Sequence, residues 1–117
     1  MLQINAEHFR EIIIFQIWGK IDMSNGSELR ETVLKVNESE KPSIVLLDFT
    51  SVQNIDSIGL GTLLSIFKTL KSLNVQMGLF ALQTEAKALF EITQLGKIIP
   101  VFSERKVAIQ HFEDKLK

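Results

Sequence analysis

Residues 43–70 read SIVLLDFTSVQNIDSIGLGTLLSIFKTL. The stretch opens on an unbroken apolar run, Ile44–Leu47 with Phe49, with Asp48 the only charge inside it. Such a run is what a strand covered on both faces looks like, so a strand is predicted over Ser43–Phe49. Thr50–Ile55 reads as a loop. From Asp56 onward Leu60, Leu63, Leu64, Phe67 and Leu70 recur at helical spacing, while Lys68, Lys71 and Ser72 lie off that stripe. The helix is predicted to end near Leu73–Asn74.

Working outward, Leu2, Ile4 and Ala6 alternate with polar residues, and Ile12–Trp18 is β-branched and aromatic up to Gly19. These read as two strands paired antiparallel across Glu7–Arg10. Asn25 with Glu28 three residues on resembles a capping box. It opens a helix marked by Leu29, Val33 and Val36 that runs to about Asn37, with Glu38–Pro42 as a polar loop. Downstream, Val75–Leu82 reads as a strand. Thr84 is a candidate cap for a helix with Ala86, Leu89, Phe90 and Thr93 on one face. Ile98–Phe102 is a short strand that Pro100 consigns to an edge. Ser103 is a candidate cap for a last helix with Ile109, Phe112 and Leu116 inward. Strands alternating with helices give an α/β fold: a single domain over residues 1–117, with a mixed, mostly parallel sheet, an N-terminal β-hairpin and about four helices.

The chain of 117 residues carries 13 basic and 14 acidic side chains and no cysteine. The charge balance leaves no basic field for direct nucleic-acid binding. The missing thiols exclude disulfides and cysteine-based metal or redox chemistry. No apolar run is long enough for membrane insertion, so a cytoplasmic location is expected. His8 and His111 sit in no metal-ligating or triad spacing and are expected at the surface, and neither a metal nor a cofactor is expected. Trp18 and Phe15, Phe49, Phe67, Phe80, Phe90, Phe102 and Phe112 fall on apolar faces and are expected in the core.

Asp56-Ser57-Ile58-Gly59-Leu60-Gly61 stands at a strand-to-helix junction. One reading is a plain capped helix, with Asp56 as N-cap and a glycine permitting close approach to the sheet. The other is that Ser57 presents its hydroxyl to solvent at the end of the sheet where α/β domains place their sites. Ile58, Thr62, Ser65, Ile66 and Thr69 form a second, uncharged strip on the same helix. It suits a protein partner, or a helix touching both the sheet and the third helix.

Four blocks, in order, resemble the STAS domains of anti-sigma factor antagonists: Ile12–Asp22, Ile44–Asp48 followed by Val52, Asp56-Ser57 followed by Gly59-Leu60-Gly61, and Ala86–Ile99. The likeness spans almost the whole chain. It implies a regulatory binding protein rather than an enzyme, with Ser57 as the phosphate acceptor. The implied partner is an anti-sigma factor that is itself a serine kinase and brings its own ATP. The unphosphorylated form binds that partner and the phosphorylated form does not. By the same resemblance Asp22, Met23, Ser24 and Asn25 join Asp56, Ile58, Gly59, Gly61, Thr62, Ser65 and Ile66 in the docking surface. Three positions depart from the family pattern. Ile58 replaces a hydroxyl residue, Asn54 stands where an apolar residue is common, and Gln94 stands where a glycine often ends the third helix, with Gly96 available for that cap. A non-phosphorylated STAS subunit of a membrane transport complex or a scaffold is the alternative, and a small-ligand sensor at Asp56–Gly61 a third.

Overall fold

The computed structural model describes Leu2–Leu116. Its elements are β1 (Gln3–Phe9), β2 (Ile12–Ile21), α1 (Gly26–Glu40), β3 (Ile44–Ile55), α2 (Ser57–Ser72), β4 (Gln76–Phe80), α3 (Thr84–Thr93), a 3-10 turn (Leu95–Lys97), β5 (Val101–Phe102) and α4 (Arg105–Leu116). The five strands lie in sequence order. β1 runs antiparallel to β2, and β2, β3, β4 and β5 run parallel. This is the mixed α/β sheet with an opening hairpin that the sequence predicts.

Alternation along the central strands builds two cores. Ile13, Phe15 and Ile17 of β2 and Val45 and Leu47 of β3 pack with Leu29 and Val33 of α1, Leu60, Leu63, Ile66 and Leu70 of α2, and Ala86 and Phe90 of α3. Ile12 and Ile14, Ile44 and Leu46, and Phe80 turn the other way, onto Ala108 and Phe112 of α4. Every residue of Ile12–Phe15 and Ile44–Leu47 is therefore buried. The unbroken apolar runs exist because helices cover both faces.

Several local expectations are corrected. β3 does not end at Phe49. It continues to Ile55, because β2 runs on to Ile21 and pairs with it through Trp18 opposite Ser51, Gly19 opposite Val52 and Ile21 opposite Ile55. The register shifts between Gly19 and Lys20, and Gly19 takes φ 114°, a conformation open to glycine alone at little cost. The hairpin turn is Arg10–Glu11 rather than Glu7–Arg10. α1 extends to Glu40 and closes on Lys41 in the left-handed region. Gln83, not Thr84, precedes α3, and Gln94 itself takes the left-handed C-cap conformation assigned to Gly96. The last strand is only Val101–Phe102, at the sheet edge as Pro100 suggests. Ser103 lies outside α4, whose first turn closes from the Ala108 amide onto the Glu104 carbonyl. Trp18, on the face of the sheet that α4 packs against, is 40% exposed, and Leu116, at the end of α4, is exposed as well. Phe67 and Phe102 are only partly buried, packed at the margins of the two cores.

On the uncovered part of that face, Arg105 donates to both carboxylate oxygens of Glu7, at 2.9 and 3.2 Å. The guanidinium holds the Glu7 carboxyl below its ordinary value of 4.5. A depressed carboxylate stabilises the fold above its unfolded pKa and loses that effect as pH falls through the folded one. The pair is substantially solvent-exposed, so its contribution is about 0.5 kcal/mol. Glu7→Gln is expected to lower urea-measured stability by that amount at pH 7 and by less as the pH falls through the folded carboxyl's titration. A difference that does not change with pH would show that the ion pair is not the cause.

Candidate functional site

β3 and α2 are joined by one residue. The Asp56 amide donates to the Ile21 carbonyl at the end of β2 (3.2 Å), its carboxylate accepts from the Gly59 amide (2.7 Å), and its carbonyl accepts from the Leu60 amide (2.9 Å). Asp56 is the N-cap the sequence predicts, and it satisfies one of the helix's orphan donors. Ser57, the first helical residue, is exposed. Ile58 beside it is 52% exposed.

Gly59 is buried and pressed against β2. A Cβ there would lie 2.5 Å from the Ile21 carbonyl oxygen and 2.9 Å from Cγ1 of Ile55. Gly61 is exposed, with nothing within 4 Å of a Cβ. Gly59 is thus a packing residue that fixes how α2 leaves the sheet, and only Gly61 offers surface.

The β2–α1 turn leaves the sheet alongside. The Asp22 carboxylate accepts from the Ser24 hydroxyl (2.6 Å) and the Ser24 amide (2.9 Å). These bonds, the hydroxyl's first, hold its carboxyl below the usual range. Met23 at the apex is 74% exposed. Asn25 is buried and does not cap α1 with its side chain. Its amide instead donates to the Lys20 carbonyl (2.6 Å) while its oxygen accepts from the Asp22 amide (3.0 Å). The capping-box expectation fails because Asn25 spends its side chain closing this turn.

The uncharged strip on α2 is also corrected. Ile66 is fully buried, and Thr62 and Ser65 are half-buried. The neighbour is α1, not α3. A Cβ on Gly26 would come within 2.5 Å of the Thr62 hydroxyl oxygen, and Arg30 donates to the Ser65 hydroxyl at 2.6 Å. Gly26 and Arg30 are the residues sequence reading missed, and a glycine opening α1 was the available signal. The Asp56 amide on the Ile21 carbonyl brings the start of α2, with the exposed Ser57, Ile58 and Gly61, to the end of β2 from which the Asp22–Asn25 turn departs.

The corner holds no histidine. His8 pairs with Ile13, at the opposite end of the sheet from Ile21, and His111 lies against Phe102 with the rings tilted by 47° and their centroids 5.0 Å apart. Among the described residues no cluster of histidine and carboxylate side chains is arranged for a metal, and no helix is long and apolar enough to cross a membrane. Ser57 thus lacks the histidine that pairs with and activates a serine nucleophile.

A family model described as "STAS domain" matches residues 3–108. The chain belongs to the STAS domain family. Among its STAS relatives, an anti-sigma-B factor antagonist of Listeria monocytogenes is 32% identical over 100 residues, covering 86% of each chain. The crystal structure of an anti-sigma factor antagonist from Mycobacterium paratuberculosis superposes with a TM-score of 0.84 at 20% identity, covering 95% of this STAS domain and 93% of that chain. The Bacillus cell fate determinant SpoIIAA, solved in its phosphorylated form, matches with a TM-score of 0.70 at 17% identity, covering 94% of this chain and 99% of that one.

Proposed function

We propose that this STAS domain is an anti-sigma factor antagonist, switched by phosphorylation of Ser57. The unphosphorylated form binds a cytoplasmic anti-sigma factor that is also a serine kinase, and so frees a sigma factor. Transfer of phosphate from the partner's ATP ends the complex. The domain itself performs no catalysis and contacts no nucleic acid. The observation that carries this reading is the exposed Ser57 at the first turn of α2, directly after the Asp56 cap. The names of the relatives point the same way. Met23, Ser24, Ile58 and Gly61 make the centre of the docking surface, Thr62 and Ser65 its margin, and Asp22 and Asp56 hold its two loops in shape. Asn25, Gly59 and Ile66 act from beneath, as the residues that set the surface rather than touch the partner.

The physics suffices for a switch. A phosphoserine adds about −1.5 to −2 charges. At a helix start the free N–H groups and the dipole accept that charge, so the fold survives modification. Incubation with the cognate kinase and ATP, followed by mass mapping, is expected to find one phosphate, on Ser57. A Ser57→Ala protein modified to the same extent would overturn the assignment.

A further inference from the structure

Asn25-Gly26 is the chain's one Asn-Gly pair; its four other asparagines precede alanine, glutamate, isoleucine and valine. A glycine after asparagine has no Cβ to shield its amide nitrogen from the side-chain carbonyl before it. Packing fixes both residues. A Cβ on Gly26 would lie 2.5 Å from the Thr62 hydroxyl oxygen, so the approach of α2 favours glycine there. Asn25 is buried, and its side chain closes the turn by donating to the Lys20 carbonyl (2.6 Å) and accepting from the Asp22 amide (3.0 Å). The fold thus places a chemically labile pair at the joint between β2 and α1.

The closed turn blocks attack of that nitrogen at three points. The Gly26 N–H is donated to the Asp22 carbonyl (3.0 Å). The Asn25 amide is clamped at both its nitrogen and its oxygen. Closing a ring needs the Gly26 nitrogen eclipsed with the Asn25 Cβ, whereas ψ of 3° at Asn25 eclipses it with Asn25's own backbone nitrogen. Reaction therefore passes through a turn that has opened. Met23 and Ser24 at the apex are exposed, and a turn of this kind opens at lower free energy than the buried strands it leaves.

We propose that Asn25-Gly26 is a deamidation site gated by local opening of the Asp22–Asn25 turn, and that its conversion keeps the turn from closing again. In the open turn the Gly26 nitrogen bonds to Asn25 Cγ. The Cγ–Nδ2 bond breaks, the Gly26 proton passes through solvent to Nδ2, and ammonia leaves a succinimide. Water then adds at either ring carbonyl and breaks that C–N bond, giving aspartate or isoaspartate. Water is the only co-reactant, and nothing is oxidised or reduced. Aspartate brings an acceptor-only carboxylate to the Lys20 carbonyl, where the Asn25 amide had donated, and buries its charge there. Isoaspartate lengthens the main chain by one carbon just ahead of Gly26. The step runs one way and does not depend on the reading of Ser57.

The test follows the full chain by peptide mapping during incubation in mildly alkaline buffer, once folded and once in denaturing urea. In urea Asn25 is expected to react first of the five asparagines, forming both aspartate and isoaspartate, the mark of a succinimide. In the folded chain the same site is expected to react at least tenfold more slowly. Ser24→Ala removes the hydroxyl bond to Asp22 (2.6 Å). It is expected to speed the folded reaction severalfold with the global unfolding midpoint unchanged, which separates opening of the turn from unfolding of the chain. Asn25→Asp is expected to lower that midpoint and to move the amide resonances of Asp22–Gly26 and Ser57. Aged protein is expected to show such shifts in proportion to its conversion, whether or not the variant folds. Equal rates folded and unfolded, aspartate without isoaspartate, an unchanged rate in the Ser24 variant, or converted protein with the spectrum of fresh protein would each overturn the proposal.

Discussion

Ser57→Asp is expected to cost the complex with the anti-sigma partner about a hundredfold in affinity while leaving the fold intact. A hundredfold corresponds to about 2.7 kcal/mol. One partner carboxylate about 5 Å from the new charge supplies on the order of 3 kcal/mol at an effective dielectric near 20, and desolvating an unpaired charge at the centre of an interface adds to it. Phosphoserine carries more charge than aspartate and is expected to exceed this effect. Calorimetry or surface-based binding with the purified partner measures it, and thermal unfolding of the free variant is the control. The helix N-terminus stabilises an added anion, so the unfolding midpoint is expected to hold or rise slightly. A variant that folds normally and binds as the wild type does would remove Ser57 from the interface. It would favour constitutive docking of the kind a transporter subunit or scaffold uses.

The second large effect is on stability and distinguishes two glycines of one helix turn. Gly59→Ala places a methyl 2.5 Å from the Ile21 carbonyl oxygen and 3.1 Å from its carbonyl carbon. Both are backbone atoms of a central strand, and they cannot swing aside as a side-chain tip does. Overpacking of this kind costs about 1–3 kcal/mol, and the upper end applies here, reduced by up to about 1 kcal/mol of helix propensity gained over glycine. A net loss of about 2 kcal/mol lowers the unfolding midpoint by roughly 6–12 °C in a domain this size. Gly61→Ala meets nothing within 4 Å and keeps the propensity gain, so it is expected to stabilise by about 0.5 kcal/mol. Opposite signs in paired urea titrations confirm the contact. Matching signs would mean that α2 does not press on β2 as described.

The doubly covered strands and the Asp56 cap of α2 were legible because each rested on a strong local signal. Ile12–Phe15 and Ile44–Leu47 are apolar at every position, which only a doubly covered strand tolerates, and Asp56 is an N-cap by chemistry alone. The second half of β3 was hidden. Beyond Asp48 it pairs only with β2, since the β4 register ends at Asp48 opposite Phe80. With one side free, Ser51, Gln53 and Asn54 can be polar, and the strand loses its pattern. Ile66 was misread for a different reason. Helical spacing shows that α2 has a second uncharged face but not which neighbour fills it, and α1 does. Asn25 looked like a cap because caps and tight turns use the same side-chain chemistry. Trp18 was expected inside because a strand pattern carries no information on how far the covering helix reaches.

The one-residue joint at Asp56 has a consequence for the proposed phosphorylation of Ser57. Its amide is fastened to β2 and its carboxylate to Gly59, and the Asp22–Asn25 turn beside it is held by four hydrogen bonds of its own that involve side chains. The hydroxyl is displayed by tertiary architecture, not by a pliable tail. A kinase acting there, as proposed, would meet two loops distant in the chain at once. A linear fragment carrying the same letters would offer it the acceptor and none of the handhold.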